Sequence, residues 1–389
     1  MLNVASPELL ELQTRTRVVF GVNRINRVGQ LAHNLAVKRT LLVTDAGIVA
    51  AGHAGRVRQN LEAAGLTVAC FDQVRENPTT KCVEECVAVA QAAGIDSIIG
   101  LGGGSSMDTA KGCNFILTNG GRMQDYWGVG KATKPMLPFI AIPTTAGTGS
   151  EMQSAALIAD EQTHQKMACL DPKCAAAVAL LDPALTLSQP LRVTACTGID
   201  AIAHAVETAV TTKRNELSQK FSREAFRLCI AALPEVLSKP DNIDARARMQ
   251  LGAAFAGAAI EASMLGAAHA AANPLTAHCG IVHGHAVGLM LPHVVRFNAE
   301  DPAVREVYNR LALEAELADT SPERLAAQLG KLLELARLPR TLATARVERS
   351  SLPKLAEEAA RQWTATFNPR PITAADFTLL YEAAFGEPA

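Results

Sequence analysis

Short apolar runs alternate with longer amphipathic stretches through the first half of this 389-residue chain, and that alternation narrows its fold more than any other feature. Arg17-Val-Val-Phe20, Arg39 to Thr44, Leu66 to Phe71, Ser97-Ile-Ile-Gly-Leu101, Leu137 to Ile142 and Ala176 to Leu181 read as strands. Helices are expected near 27–37, from Asp45-Ala-Gly47 to about Ala64 with Gly65 closing it, and from about Thr79 to 93 with Gly94 ending it. Asn77-Pro78-Thr79 is the turn that caps the last of these. Strands separated by helices of this length form βαβ units, which build a mainly parallel sheet. After Asp182-Pro183 no strand pattern is convincing. Helical runs follow near 191–212, 216–232, 244–264, 280–298, 302–316, 322–337 and 372–385. The expected division is an α/β domain over 1–185 and an all-α domain over 186–389.

Two strands end in loops suited to an anion. The one at 97–101 runs into Gly102-Gly-Gly-Ser-Ser-Met-Asp108 before a helix, and Ser105 with Asp108 has the spacing of a capping box. Glycines let backbone amides approach a ligand, and a helix N-terminus favours negative charge. Gly100-x-Gly102-x-x-Ser105 lacks the third glycine of the dinucleotide fingerprint, so a tight strand-to-helix turn is the competing reading. The strand at 137–142 runs into Pro143-Thr-Thr-Ala-Gly-Thr-Gly-Ser-Glu151. Two such loops argue for one nucleotide site at the carboxyl edge of a Rossmann-like sheet.

Composition excludes several classes. Hydrophobic residues make up 49% and charged residues 19%, as in a globular chain with a large core. Lys plus Arg (37) nearly balance Asp plus Glu (38), which leaves no basic excess for nucleic acid and no basic tail for a membrane. The nine cysteines are scattered and odd in number, as expected of reduced thiols in the cytoplasm. Met1 to Glu8 has no cationic start and no long apolar segment, so no signal peptide is expected there. Leu251 to Ala277 imitates a membrane span, but its apolar residues are mostly Ala and Gly and Pro274 interrupts it. Closely packed buried helices are expected instead.

Metal chemistry is suggested by Thr197-Gly-Ile-Asp-Ala-Ile-Ala-His-Ala-Val-Glu207. Asp200 and His204 stand four apart in an Ala-rich run, hence on one helix face. With His269 and His283 downstream they make one carboxylate and three imidazoles, a set suited to Fe²⁺ or Zn²⁺. Glu207, one turn further on, can orient a ligand from outside the coordination shell. The competing account is a surface helix capped by Thr197, with Asp200 near its positive end and His204 packed.

Taken together, the chain resembles the iron-containing, or group III, alcohol dehydrogenases. The resemblance covers nearly the whole chain and rests on Gly102-Gly-Gly-Ser-Ser-Met-Asp-Thr-Ala-Lys111, Pro143 to Glu151, Gly198 to Glu207, and His283-Gly-His-Ala with Leu291-Pro-His293. It implies an N-terminal α/β nucleotide-binding domain and an all-α C-terminal domain. The family's metal ligands fall on Asp200, His204, His269 and His283. Its nucleotide contacts fall on Asp45, Asn77, Gly103, Gly104, Ser105, Thr144, Thr145, Thr148 and Lys166, the last at the start of a strand. Many members carry another His four residues after the third ligand, where this chain has Asn273. His278 and His285 are candidate substitutes for that histidine, and a buried structural role is the preferred reading of both.

The reaction so implied is NAD(H)-linked hydride transfer to or from a small, neutral alcohol or aldehyde, with Fe²⁺ or Zn²⁺ as Lewis acid, in a cytoplasmic homodimer. Asp45, ending a strand, is expected to favour NAD(H) over NADP(H). No Lys or Arg occurs between Arg248 and Arg296, which argues for a neutral substrate. The rivals are a Zn²⁺-dependent polyol dehydrogenase, a reductase of an anionic semialdehyde or keto acid, a dehydroquinate-synthase-like lyase, and a non-catalytic nucleotide-binding protein.

Overall fold

The computed structural model describes residues 10–13, 15–163 and 165–386. The opening stretch Met1 to Glu8, where no signal peptide is expected, lies outside them. The chain divides into two compact units, Met1–Thr145 with Gly149–Gln189, and Ala146–Thr148 with Pro190–Ala389.

The first unit runs β1 (Leu10–Gln13), β2 (Arg17–Phe20), α1 (Val28–Asn34), β3 (Arg39–Val43), α2 (Ala46–Ala50), α3 (His53–Ala63), β4 (Thr67–Phe71), α4 (Thr80–Ala93), β5 (Ser97–Gly102), α5 (Gly104–Asn119), β6 (Gly128–Val129), β7 (Phe139–Pro143), β8 (Ala155–Ala159), β9 (Lys166–Leu170) and β10 (Val178–Leu181). Seven strands form one sheet in the order β1-β2-β10-β7-β5-β3-β4, parallel except for the β1–β2 pair. Side chains alternate between its faces. Leu41, Val43, Ile98 and Phe139 join one core with Val83 and Val87 of α4 and Met107 of α5. Leu42, Ile99, Leu101 and Ile142 join the other with Val28 and Leu31 of α1 and Val57 and Leu61 of α3. Each such side chain withdrawn from water contributes roughly 1.5–3 kcal/mol, which is why these strands read as apolar runs.

Several details depart from the sequence reading, among them β1, β6 and the helix Leu352–Ala360, which it did not foresee. The helix expected up to Ala64 is two, broken at Gly52, which takes φ +81°. Ala155–Ala159 is an unforeseen strand in the small sheet β6-β9-β8; it is Ala-rich and buries only alternate residues. The Ser105–Asp108 capping box is absent. Helix α5 begins at Gly104 with Gly103 as its N-cap, so Asp108 lies inside the helix and accepts from Ser150 Oγ at 3.1 Å.

The second unit is helical among the described residues: α6 (Leu191–Thr208), α7 (Glu216–Ser238), α8 (Ile243–Ala262), α9 (Ala267–Cys279), α10 (His283–Asn298), α11 (Pro302–Glu314), α12 (Pro322–Leu335), α13 (Leu352–Ala360) and α14 (Ala374–Phe385). Helix α6 packs against α7, α8 and α10. The apolar stretch that imitates a membrane span is α8 and α9, bent 105° apart, with most of their alanines buried among the helices. No single described helix is long and apolar enough to cross a membrane.

Candidate active site and metal centre

Helix α6 starts six residues before Thr197, whose hydroxyl donates to Val193 O at 2.9 Å, so Thr197 is not a cap. Asp200, His204 and Glu207 are all buried, which rules out the surface-helix account. His269 lies in the first turn of α9 and His283 is the first residue of α10. Gly284 explains how α10 comes so near. A Cβ there would stand 2.0 Å from Cys196 O and 3.2 Å from Asp200 Cβ. Only glycine lets the first turn of α10 rest on α6, and this places His283 beside Asp200.

Three imidazoles converge on one carboxylate oxygen. Asp200 Oδ1 lies 3.3 Å from His269 Nε2, 3.5 Å from His204 Nε2 and 3.9 Å from His283 Nε2. Asp200, His269 and His283 offer ligand atoms all within 4.8 Å of one another. His204 joins them through Asp200 and by stacking on His269, with centroids 4.8 Å apart. Donors about 2.1 Å from a tetrahedral ion are about 3.4 Å from each other, close to the observed spacings. Asp200 Oδ1, His269 Nε2 and His204 Nδ1 are buried without a hydrogen bond. Buried orphans of this kind are costly unless something satisfies them, and a cation inside the cluster suits both the oxygen and the His269 nitrogen. The residues therefore fit a divalent ion.

Glu207 fixes which His269 nitrogen faces the cluster. Its Oε2 meets His269 Nδ1 at 2.5 Å, and its Oε1 accepts from the Ala268 amide at 2.7 Å. With Nδ1 engaged, Nε2 is the nitrogen turned to the cluster, and the one whose lone pair, once the ring is neutral, can bind an ion. Burial would raise the Asp200 carboxyl, but the His204, His269 and His283 rings outweigh it and hold it well below the usual carboxylate range. Burial takes His204 down to about 4. Burial also opposes charge on His269, but there Glu207 and Asp200 prevail and lift the ring to about 9.

A second group of expected residues lies at the carboxyl ends of three adjacent strands. Asp45 follows β3, Gly103, Gly104 and Ser105 follow β5, and Thr144 and Thr145 follow β7. The Thr144 amide donates to Gly102 O at 2.9 Å, and Gly103 lies against the Thr145 methyl. Gly102 has φ +147°, and a Cβ there would meet Ser106 Oγ at 2.4 Å. Gly103 has no side chain to cap α5, so amides of its first turn remain for a ligand. Asn77 and Lys166 lie at the small sheet: Lys166 pairs with Ala159, whose amide donates to Pro78 O, and the Lys166 charge bears on Asp108 of α5. Thr148 belongs to the helical unit, where Gly147 rests on α6, so close that a Cβ would stand 2.4 Å from Thr197 Cβ.

Lys111, at the end of the glycine-rich motif, has a role that the sequence did not reveal. Its ammonium is buried and donates to Ser150 O (2.7 Å), Ser150 Oγ (2.9 Å), Gln153 O (2.8 Å) and Ala155 O (2.9 Å). Burial raises the Asp108 carboxyl beside it and takes Glu151 up to about 7. A lone lysine among Ala110, Gly112 and Cys113 was the available signal.

Two family models match successive parts of the chain: iron-containing alcohol dehydrogenase over residues 15–183, and the C-terminal region of the Fe-containing alcohol dehydrogenase family over 194–385. The chain belongs to the iron-containing alcohol dehydrogenase family. It is 32% identical over 370 residues to the NAD-dependent methanol dehydrogenase of Bacillus methanolicus, covering 94% of this chain and 97% of that one. A solved 1,3-propanediol oxidoreductase superposes with TM-score 0.91 at 30% identity, covering 98% of this chain and all (100%) of that one. The sulfoacetaldehyde reductase of Bifidobacterium kashiwanohense, solved in complex with NAD+, superposes with TM-score 0.87 at 26% identity, covering 97% and 99%. This iron-containing alcohol dehydrogenase is thus an oxidoreductase of CH–OH groups, with NAD(H) and a metal ion as cofactors.

The histidines considered as substitutes at Asn273 are engaged elsewhere. His285 is buried and bonds Pro339 O at 2.8 Å. His278 is not buried as expected; it lies at the exposed end of α9, 2.6 Å from Glu358. Asn273 itself donates to Gln362 Oε1 at 3.0 Å.

Proposed function

We propose that this protein interconverts short neutral alcohols and aldehydes, diols and hydroxyaldehydes included, with NAD(H) as hydride carrier. The observation that carries the reading is the convergence of His204, His269 and His283 on Asp200 Oδ1, with orphaned donor atoms inside the cluster. These four residues would hold one divalent ion. Family membership favours Fe²⁺; an oxygen and nitrogen donor set suits Zn²⁺ as well. When bound, the ion supplies Lewis-acid polarisation of the substrate oxygen.

The chain's own groups bind and orient. Asp45 spends Oδ1 on the Ile48 amide at 3.1 Å, which leaves Oδ2 to accept from ribose hydroxyls and to repel a 2′-phosphate. Amides at Gly103, Gly104 and Ser105 receive the pyrophosphate at the N-terminus of α5. Thr144, Thr145, Thr148, Asn77 and Lys166 supply further polar contacts to the nucleotide. Asp45→Gly is expected to narrow the NADH over NADPH preference by roughly tenfold, or about 1.4 kcal/mol; a wild-type preference for NADPH refutes the role. Asn273 has no titratable proton and donates to Gln362 Oε1, so it would not itself carry the proton of the reacting hydroxyl. Asn273→Ala should then keep its metal.

All nine cysteines are free, which supports a cytoplasmic setting. The family resemblance suggests a homodimer, to be checked by sedimentation. The stretch without Lys or Arg between Arg248 and Arg296 supports a neutral substrate. The likeness to a sulfoacetaldehyde reductase favours one rival, an anionic aldehyde. Comparing kcat/KM for a short neutral aldehyde with that for an anionic one of similar length, with NADH and with each of Fe²⁺ and Zn²⁺, separates the two. A higher value for the neutral aldehyde is expected, and preference for the anion overturns the reading.

A further inference from the structure

We propose that Asn298 and Asn368, a buried amide pair, position His269 by capping α9 from outside that helix. The inference rests on reading His269 as a metal ligand. Helix α9 has no cap of its own, because its N-cap residue, Gly266, carries no side chain. Its first amides are met by acceptors from elsewhere in the unit. The Ala267 amide points to Asn368 Oδ1 at 3.4 Å, and the Ala268 amide donates to Glu207 Oε1 at 2.7 Å. His269 follows directly, with Nδ1 on the other oxygen of Glu207. The turn that carries His269 is thus gripped by one carboxylate and one amide.

Both acceptors crowd Gly266. A Cβ there would stand 3.1 Å from Glu207 Oε1 and 3.3 Å from Asn368 Oδ1. Each of these buried oxygens holds an N–H donor, so neither is left unsatisfied. Asn368 Oδ1 is itself held in place: Asn298 Nδ2 donates to it at 3.0 Å, and Asn368 Nδ2 returns a bond to Asn298 Oδ1 at 2.7 Å and another to Arg370 O at 2.9 Å. Asn298 and Asn368 are 1% and 4% exposed, so water cannot replace these bonds. Asn298 is the last residue of α10 and His283 the first. The pair therefore ties the far end of one ligand-bearing helix to the turn that presents the ligand of another. Losing it frees the α9 terminus, and with it the direction of the His269 ring.

The test uses Co²⁺ as probe, with affinity from chelator competition and geometry from its visible absorption band. Asn368→Ala is expected to weaken Co²⁺ binding about 10- to 100-fold and to shift the band. Asn298→Ala should do the same more weakly, since Asn368 Oδ1 still accepts from Ala267. A residue that merely supports the fold would lower the melting temperature of the metal-free protein without touching affinity or band. Wild-type affinity and band in both variants would overturn the proposal while leaving the metal site standing. If His269→Ala binds Co²⁺ as tightly as wild type, the metal reading falls and takes this inference with it.

Discussion

Glu151 is buried, and burial lifts its carboxyl from the ordinary 4.5 to about 7. The folded state then binds its proton more tightly than the unfolded chain does. The resulting stabilisation is complete below the unfolded value and is lost as pH rises through 7. Glu151→Gln removes this dependence. Relative to wild type it should gain about 2 kcal/mol between pH 5 and pH 8, read from denaturant unfolding at the two pH values. His269 makes the opposite kind of statement. Lifted to about 9, it must lose a proton for Nε2 to bind an ion, whereas His204 at about 4 has none to lose at neutral pH. Metal binding near pH 7 should release close to one proton, and affinity should rise about tenfold per pH unit up to 9. Calorimetry in buffers of different ionisation enthalpy measures that proton. Asp200 and His204 were legible because four-residue spacing on a helix is a local property; Asn298 and Asn368 were not, since their partnership spans seventy residues and exists only once α10 is laid down.

Helix α10 meets α6 through a glycine, and the ligand set depends on that contact. Gly284→Ala puts a methyl 2.0 Å from Cys196 O, which is main chain and cannot turn aside. The first turn of α10 must move, and His283 with it. We expect a loss of about 1–3 kcal/mol in stability together with a loss of bound metal, measured by unfolding and by metal analysis. Unchanged metal content would show that His283 does not depend on this contact. The same geometry explains which elements could be read in advance. Parallel strands buried on both faces are continuous apolar runs and stood out, whereas β8 buries only alternate residues and did not. The capping-box reading failed because residues three apart look alike at a helix start and inside a helix. Only the early start of α5 at Gly104 decides between them.

The molecule separates its chemistry between two units. The α/β unit presents backbone amides, hydroxyls and Asp45 at one edge of its sheet, while the helical unit buries a carboxylate and two imidazoles among alanines and glycines and sets the half-buried His283 beside them. Small residues serve that burial, since they let helix backbones approach and leave little polar surface to compete for the ion. The measurement that bears most directly on this account is the metal content of wild type and His269→Ala, determined beside NADH affinity and aldehyde reduction. We predict one Fe²⁺ or Zn²⁺ per chain in wild type, almost none in the variant, NADH affinity largely retained, and activity lost with the metal. Full activity in wild-type protein stripped of metal would contradict it.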